Sequence, residues 1–425
     1  MLKQILKQLW TQRRANGWIL LELVVISIVI WWVVDPLFVI RSNQSIPQGF
    51  DCSDVYRLTL GELPKKSPLY KAEESNSVNA ITNFNRIVDR VKQYPGVEAV
   101  TVTNNCYPWS GGSTLDSYYH DSVEVNIQNM YYLNIGNYFQ VFRYTSATDH
   151  RWQTLAKVET KANDIFITRD AEKKFCGNKS ALGMTLTGDD SVKYTVARVI
   201  DNVKIISSEP PHRVALLPQT KLDPEWLPNT IQIFFRMREG TQENPFLSTF
   251  KKQMFSELHA GNYYVEQITP YSKIRQDYEY SHGVINLIRL KMGLAIFFLI
   301  NMLFGVIGTF WLKCGARRGE IGLRMAMGST RNGLRRLFIA EGWLLTTFAT
   351  IIGLIIVFQF VYVNGFYQSD VNSTTGALWV NNAALHFLSV SGIVYLLLLI
   401  TVTIGTWFPV SNASKISPVD ALRDE

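Results

Sequence analysis

The chain has 425 residues, 47% of them hydrophobic and 18% charged, with a formal net charge of +7 and a mean hydropathy of +0.03. That balance is too polar for a protein wholly embedded in lipid and too apolar for a chain without spans, so a mixture is predicted. Residues 41–283 carry 27 basic and 27 acidic side chains, so the positive excess belongs to the flanks of apolar runs and a nucleic-acid partner is not predicted.

Residues 1–16 open the chain with Leu2, Ile5, Leu6, Leu9 and Trp10, a spacing that gathers the apolar side chains on one helical face. Lys3, Lys7, Arg13 and Arg14 hold the remainder, which predicts a cytoplasmic interfacial helix resting on membrane lipids. A signal peptide is the weaker reading, because no small-residue cleavage site follows. Residues 17–40 then form the first transmembrane candidate, since a helix needs about 20 apolar residues to cross about 30 Å of hydrocarbon. Its one charge between Trp18 and Val34 is Glu22. An intramembrane carboxylate reads as functional by default; a headgroup-level pairing with Arg13 or Arg14 stays equally open.

Residues 41–281 form a long polar block. Strand-like runs at 55–60, 97–102, 164–168, 192–200 and 231–237 interleave with helical patterns at 78–93, 169–175 and 245–259. This predicts an α+β domain in two lobes, with loops at 108–113 and 208–213. Tyr131, Tyr132, Tyr138 and Phe139 read as strand aromatics that fill a core in preference to a ligand groove. Cys52, Cys106, Cys176 and Cys314 form no CxxC pair. One disulfide within the block stays open, with small buried hydrophobes the favoured reading.

A second span with its stalk covers residues 282–312, a third 337–363 and a fourth 385–410. The third carries only Glu341, near its basic end. Between the second and third, residues 313–336 read as helix, elbow, helix. Ile321, Leu323, Met325 and Met327 supply an apolar stripe, and Arg317, Arg318 and Arg324 face the single acid Glu320. After Ala326, the run Gly328, Ser329, Thr330 breaks the helix and caps the next one. Basic residues cluster before the first span and between the second and third, and the 364–384 loop has none. The positive-inside rule then puts both termini and 313–336 in the cytoplasm, leaving the 41–281 domain, the 364–384 loop and the 411–425 tail on opposite sides as the topology dictates: domain and loop outside, tail inside.

No chemistry of the chain's own emerges. The six histidines lack metal-ligand spacing, no GxSxG elbow occurs, and no GxxxxGK[ST] loop is present to cradle phosphates. Catalytic, cofactor and metal residues are therefore predicted as none, and the chain is not predicted to be an enzyme.

ArgArgGlyGluIleGlyLeuArgMetAlaMetGlySerThrArg at 317–331 resembles the cytoplasmic coupling segment of MacB/FtsX-like ABC transporter permeases. Residues 409–423 resemble the tail that closes their last span, and 137–142, 164–186 and 194–202 are similar to their exported domain. Ala197 and Arg198 depart from the glycine expected in that last strand. The resemblance implies an α-helical membrane protein with four transmembrane helices and a large α+β extracytoplasmic domain inserted between the first and second. It implies an inner-membrane permease subunit that pairs with a second copy or paralogue. A separate ATP-binding subunit, holding ATP and Mg, would dock on Arg317, Arg318, Glu320, Ile321, Arg324, Met325, Ala326, Met327, Gly328 and Ser329, and a periplasmic adaptor and outer-membrane channel would complete an efflux assembly. The alternative is a non-transporting FtsX-type regulator that switches a cell-wall hydrolase or signalling partner.

Overall fold

The computed structural model describes residues 13–367 and 378–415. Residues 1–12 of the interfacial helix read at 1–16, residues 368–377 of the 364–384 loop and the tail beyond residue 415 lie outside the described residues. In chain order the main elements are α1 (Arg13–Gln44), β1 (Val55–Glu62), α2 (Ser77–Gln93), β2 (Val97–Asn104), β3 (Thr114–His120), β4 (Val123–Gly136), α3 (Tyr138–Phe142) and α4 (Trp152–Ala156). They continue with β5 (Asp164–Thr168), α5 (Arg169–Cys176), β6 (Thr185–Gly188), β7 (Lys193–Ile200), β8 (Val214–Gln219), β9 (Ile231–Met237), α6 (Glu243–Glu257), β10 (Tyr263–Pro270) and α7 (Tyr271–Ser281). The last are α8 (Val284–Ala316), α9 (Arg318–Ala326), α10 (Arg331–Asn364), α11 (Leu378–Asn381) and α12 (Ala383–Ala413).

These elements form two compact units, residues 43–284 and a second made of 13–42, 285–367 and 378–415. The fold class read from the sequence is the one observed: four helices long and apolar enough to cross a membrane, with a sheet-rich α+β domain inserted between the first and second.

In the helical unit, α1, α8, α10 and α12 share one apolar core. Ile30 and Trp31 of α1, Met302 of α8, Ala349 of α10 and Val394 and Leu398 of α12 are all buried in it. Trp31 also donates from Nε1 to Ser391 Oγ at 3.3 Å. Small residues allow the approach: a Cβ at Gly353 of α10 would collide with Ser27 Oγ of α1 and come within 3.3 Å of the Val24 carbonyl. Outward, α8 and α10 present Phe297, Phe304, Ile355 and Phe358 to their surroundings, as a lipid-facing surface does.

The other unit is built on a ten-stranded sheet in the order β10-β1-β9-β2-β4-β3-β6-β7-β5-β8, with β8 returning to pair with β4. The last six strands therefore close into a ring, and the first four form an open arm. α2 and α6 cover the arm, because their stripes Phe84, Ile87, Val91 and Phe246, Phe250, Met254 pack on Leu58, Val100, Ile233 and Val265. Inside the ring, Tyr118, Ile127, Ile165, Leu186, Val196 and Leu217 make a separate core. Burying each large apolar side chain is worth about 1.5–3 kcal/mol.

The structure corrects two local readings. Tyr138 and Phe139 are not strand residues; they start the one-turn helix α3, which Asn137 caps by accepting from the Gln140 amide at 3.0 Å. They are nevertheless core, Tyr138 stacked on the buried Tyr132 of β4 and Phe139 meeting it edge-on. At Ala197 the β5–β7 register slips, so that Ile165 faces Val196 but Phe166 faces Arg198. The expected glycine position is thus a bulge in an otherwise continuous strand. The four cysteines are free, with Cys52, Cys106 and Cys314 buried and Cys176 half-buried.

Candidate functional site

α9 is a nine-residue helix between two spans. Residues two apart on a helix point in nearly opposite directions, whereas residues four apart share a face. The predicted stripe accordingly splits. Ile321 is 3% exposed and Met325 packs against the span core, while Leu323 and Met327 are 51% and 72% exposed. Ala326, Gly328 and Ser329 are exposed as well. The elbow is Gly328, held at φ +94°, a backbone region that favours glycine. Thr330 then caps α10, its Oγ1 accepting from the Gly333 amide at 3.1 Å.

The charges follow the sequence reading at Arg324 and add a second acid at Arg317. Glu320 pairs within the helix with Arg324, at 2.6 Å and one turn away. Arg317, the residue preceding α9, instead reaches Glu341 of α10, Nη1 to Oε2 at 3.0 Å. Lys313 of α8 takes the other oxygen, Nζ to Oε1 at 3.1 Å. All three side chains are under 10% exposed, and both cations also lie over aromatic rings, Lys313 over Phe310 and Arg317 over Phe338. A carboxylate buried among apolar side chains is tolerable only when both oxygens are satisfied by charged donors, which is the arrangement here. Glu341, read as an uncertain intramembrane acid, thus fastens the end of α8, the entry to α9 and the third turn of α10 to one point. Arg318 borders a cleft with Trp311, Leu312 and Asn412.

The other acid singled out, Glu22, is half-buried on α1 with its carboxylate against Gly305 of α8, where a Cβ would collide with it. The side chains of Arg13 and Arg14, its expected partners, lie outside the described residues.

Sequence reasoning missed a second buried pair. Asp35 Oδ1 accepts from His386 Nε2 at 2.7 Å, and Oδ2 accepts from the Tyr367 amide at 3.2 Å. His386 stacks on Phe366, ring centres 4.2 Å apart. One acid therefore joins α1, the stretch after α10 and the first turn of α12. A signal was present: α1 ends on the side where α12 begins, so an acid late in the first run and a histidine early in the last are brought to the same level.

Residues 292–418 match the family model described as FtsX-like permease C-terminal. This part of the chain is an FtsX-like permease domain. The domain contains α9, Lys313, Arg317, Glu341 and His386, whereas Glu22 and Asp35 precede it. The macrolide export ATP-binding/permease protein MacB of Rhodopirellula baltica is 25% identical over 182 residues, 41% of this chain. The match spans 23% of that relative's length. Among solved structures, the periplasmic region of MacB from Actinobacillus actinomycetemcomitans is similar at 9% identity, over 54% of this chain and 94% of that one, with a TM-score of 0.30. The extracellular domain of the ABC-type transporter YknZ from Gram-positive bacteria is similar at 13% identity, over 50% of this chain and 100% of that one, with a TM-score of 0.28. The family resemblance thus rests on residues 292–418, the last three span-length helices and α9.

Proposed function

We propose that this chain takes motion from a separate ATP-binding subunit through α9 and passes it along α8 and α10 to the α+β domain, driving efflux or export of an envelope substrate. ATP and Mg belong to that partner subunit, and a second permease copy completes the membrane part. A periplasmic adaptor and an outer-membrane channel fit the same assembly. The charge distribution supports an inner-membrane placement with both termini cytoplasmic and the α+β domain periplasmic.

The observation that carries the reading is the clamp of Lys313 and Arg317 on Glu341. A short helix that only linked two spans needs no buried ion pairs at its root. With them, a push on the exposed Leu323 and Met327 reaches two spans together. The test is Leu323→Asp with Met327→Asp, scored by co-purification of the ATP-binding subunit and by its ATP turnover. Both should fall, and both remaining at wild-type level would exclude α9 as the docking element.

A further inference from the structure

The α+β unit carries a cleft of about 560 Å³ that the coupling reading does not use. Its floor is made where residues 48–51, 142–147 and 199–204 meet: the Asp51 amide donates to Phe142 O at 3.0 Å, Thr145 N to Gly49 O at 3.2 Å and Asp201 N to Thr145 O at 2.9 Å. Phe50 and Pro211 contribute apolar wall, and the volume suits a small molecule.

The cleft's charges fall into two clusters of opposite layering. In one, Asp201 is the inner member, 19% exposed, and an imidazole and a guanidinium stand outside it. His150 Nδ1 donates to it at 2.7 Å and is 66% exposed; Arg169 lies at 4.0 Å and is 38% exposed. In the other the order is reversed. Asp51 stands outermost at 46% exposed, backed by Arg236 at 3.5 Å, fully buried, and by Arg143 at 3.8 Å, whose shorter ion pair, 3.1 Å, is with Glu98. Arg236 is held by donating from Nε to Val141 O at 2.8 Å, so it cannot swing out. Burial pushes the Asp51 carboxyl upward, but hydrogen bonds from Ser53 and the charges of Arg236 and Arg143 more than offset it, and its pKa is lowered. Arg143 and His150 are both held at positive φ, +46° and +56°, which aims each side chain from a conformation non-glycine residues seldom adopt.

One rim therefore shows water a carboxylate and the other a guanidinium and an imidazole. We propose that this cleft binds a small zwitterion, its ammonium group at Asp51 and its anionic group at Arg169 and His150. Solvent screens an exposed ion pair, but the apolar wall of Phe50 and Pro211 reduces that screening here. A free cation or a free anion alone would satisfy only one rim. The chemistry is shared by a short peptide and by an aminophosphate headgroup.

Triglycine and glycerophosphoethanolamine separate those two sources when titrated calorimetrically into the purified full-length chain. Saturable binding of either at millimolar concentration is expected, and whichever binds names the source. With triglycine, N-acetylation should weaken binding to the unaltered protein about tenfold or more, the scale of a lost charged hydrogen bond. Arg169→Gln, at a half-exposed side chain outside the core, should weaken the uncapped peptide similarly; with the headgroup, Arg169→Gln and the phosphate ester lacking the amine make the same two comparisons. In Asp51→Asn the penalty for removing the ligand's amine should disappear. Failure of both probes to saturate, or affinity indifferent to both the ligand's amine and Arg169→Gln, would overturn the proposal.

Discussion

His386 Nε2 and Asp35 Oδ1 lie 2.7 Å apart although 351 residues separate them, and neither side chain is more than 1% exposed. In an apolar bundle such a pair fixes the first and last spans to one relative height, because a slip of one turn would leave each partner buried without the other. Asp35→Asn should therefore destabilise the solubilised protein by about 3–5 kcal/mol, the usual cost of removing one member of a buried pair. Asp35→Asn combined with His386→Phe should cost less than the sum of the two single changes. Thermal melting of the four proteins checks this, and strict additivity would show the contact to be incidental.

Glu341→Gln removes the charge shared by Lys313 and Arg317 while keeping the side chain's shape. Two buried cations then face each other with only an amide between them, and a loss of about 3–5 kcal/mol is expected. Glu341→Asp, which keeps the charge but shortens the reach, should cost less. If the ordering were reversed, packing volume and not charge would govern the site.

Gly353→Ala should destabilise by about 1–3 kcal/mol, because its Cβ meets Ser27 Oγ and α1 has to move. Ser27→Ala in the same chain removes the nearest clashing atom and should restore part of the loss, though the Val24 carbonyl remains 3.3 Å away. A crosslinking-independent readout, such as the temperature at which half the detergent-solubilised protein precipitates, is sufficient.

Lys204 in the α+β unit gives a pH signature. Its Nζ is buried and donates to Asn43 O at 2.6 Å, and burial, with the charge of Arg275, brings its pKa down to about 8. Unfolded, the amine would titrate at about 10.4. Below pH 8 both states are protonated and the folded state bears the full desolvation penalty; as pH rises from 8 towards the unfolded value, the folded protein sheds the proton first. Stability relative to Lys204→Met should therefore increase with pH between about 7 and 10. A difference that is flat or falling over that window would contradict the shift.

The span-length helices and the inserted α+β domain were legible because their signals are local: long uncharged runs, alternating strands, and charge counts between spans. Boundaries of β1, β5, β9 and α5 follow the same periodicities closely. What escaped was set by partners distant in sequence. β3, β4, β6 and β10 carry polar residues on exposed faces, so their alternation is weak, and β8 is a short, almost wholly buried run with no alternation at all; only the ladder reveals them. Glu320 looked like the partner of Arg317 because it is near in sequence, yet the buried Glu341 wins, since an unpaired acid inside the bundle would be far costlier than a solvated one on α9. The Asp35–His386 pair shows the same limit, where composition marks the residues but only the folded chain joins them.

β4 pairs with β3 over residues 123–129, with β8 over residues 128–133 and with β2 at Tyr132 and Gly136, in one unbroken run of 14 residues. The arm joins the ring through that strand alone, at Thr101↔Gly136 and Thr103↔Tyr132 with a shift of register between them. The two halves of the domain are therefore stitched together by backbone, with one strand belonging to both.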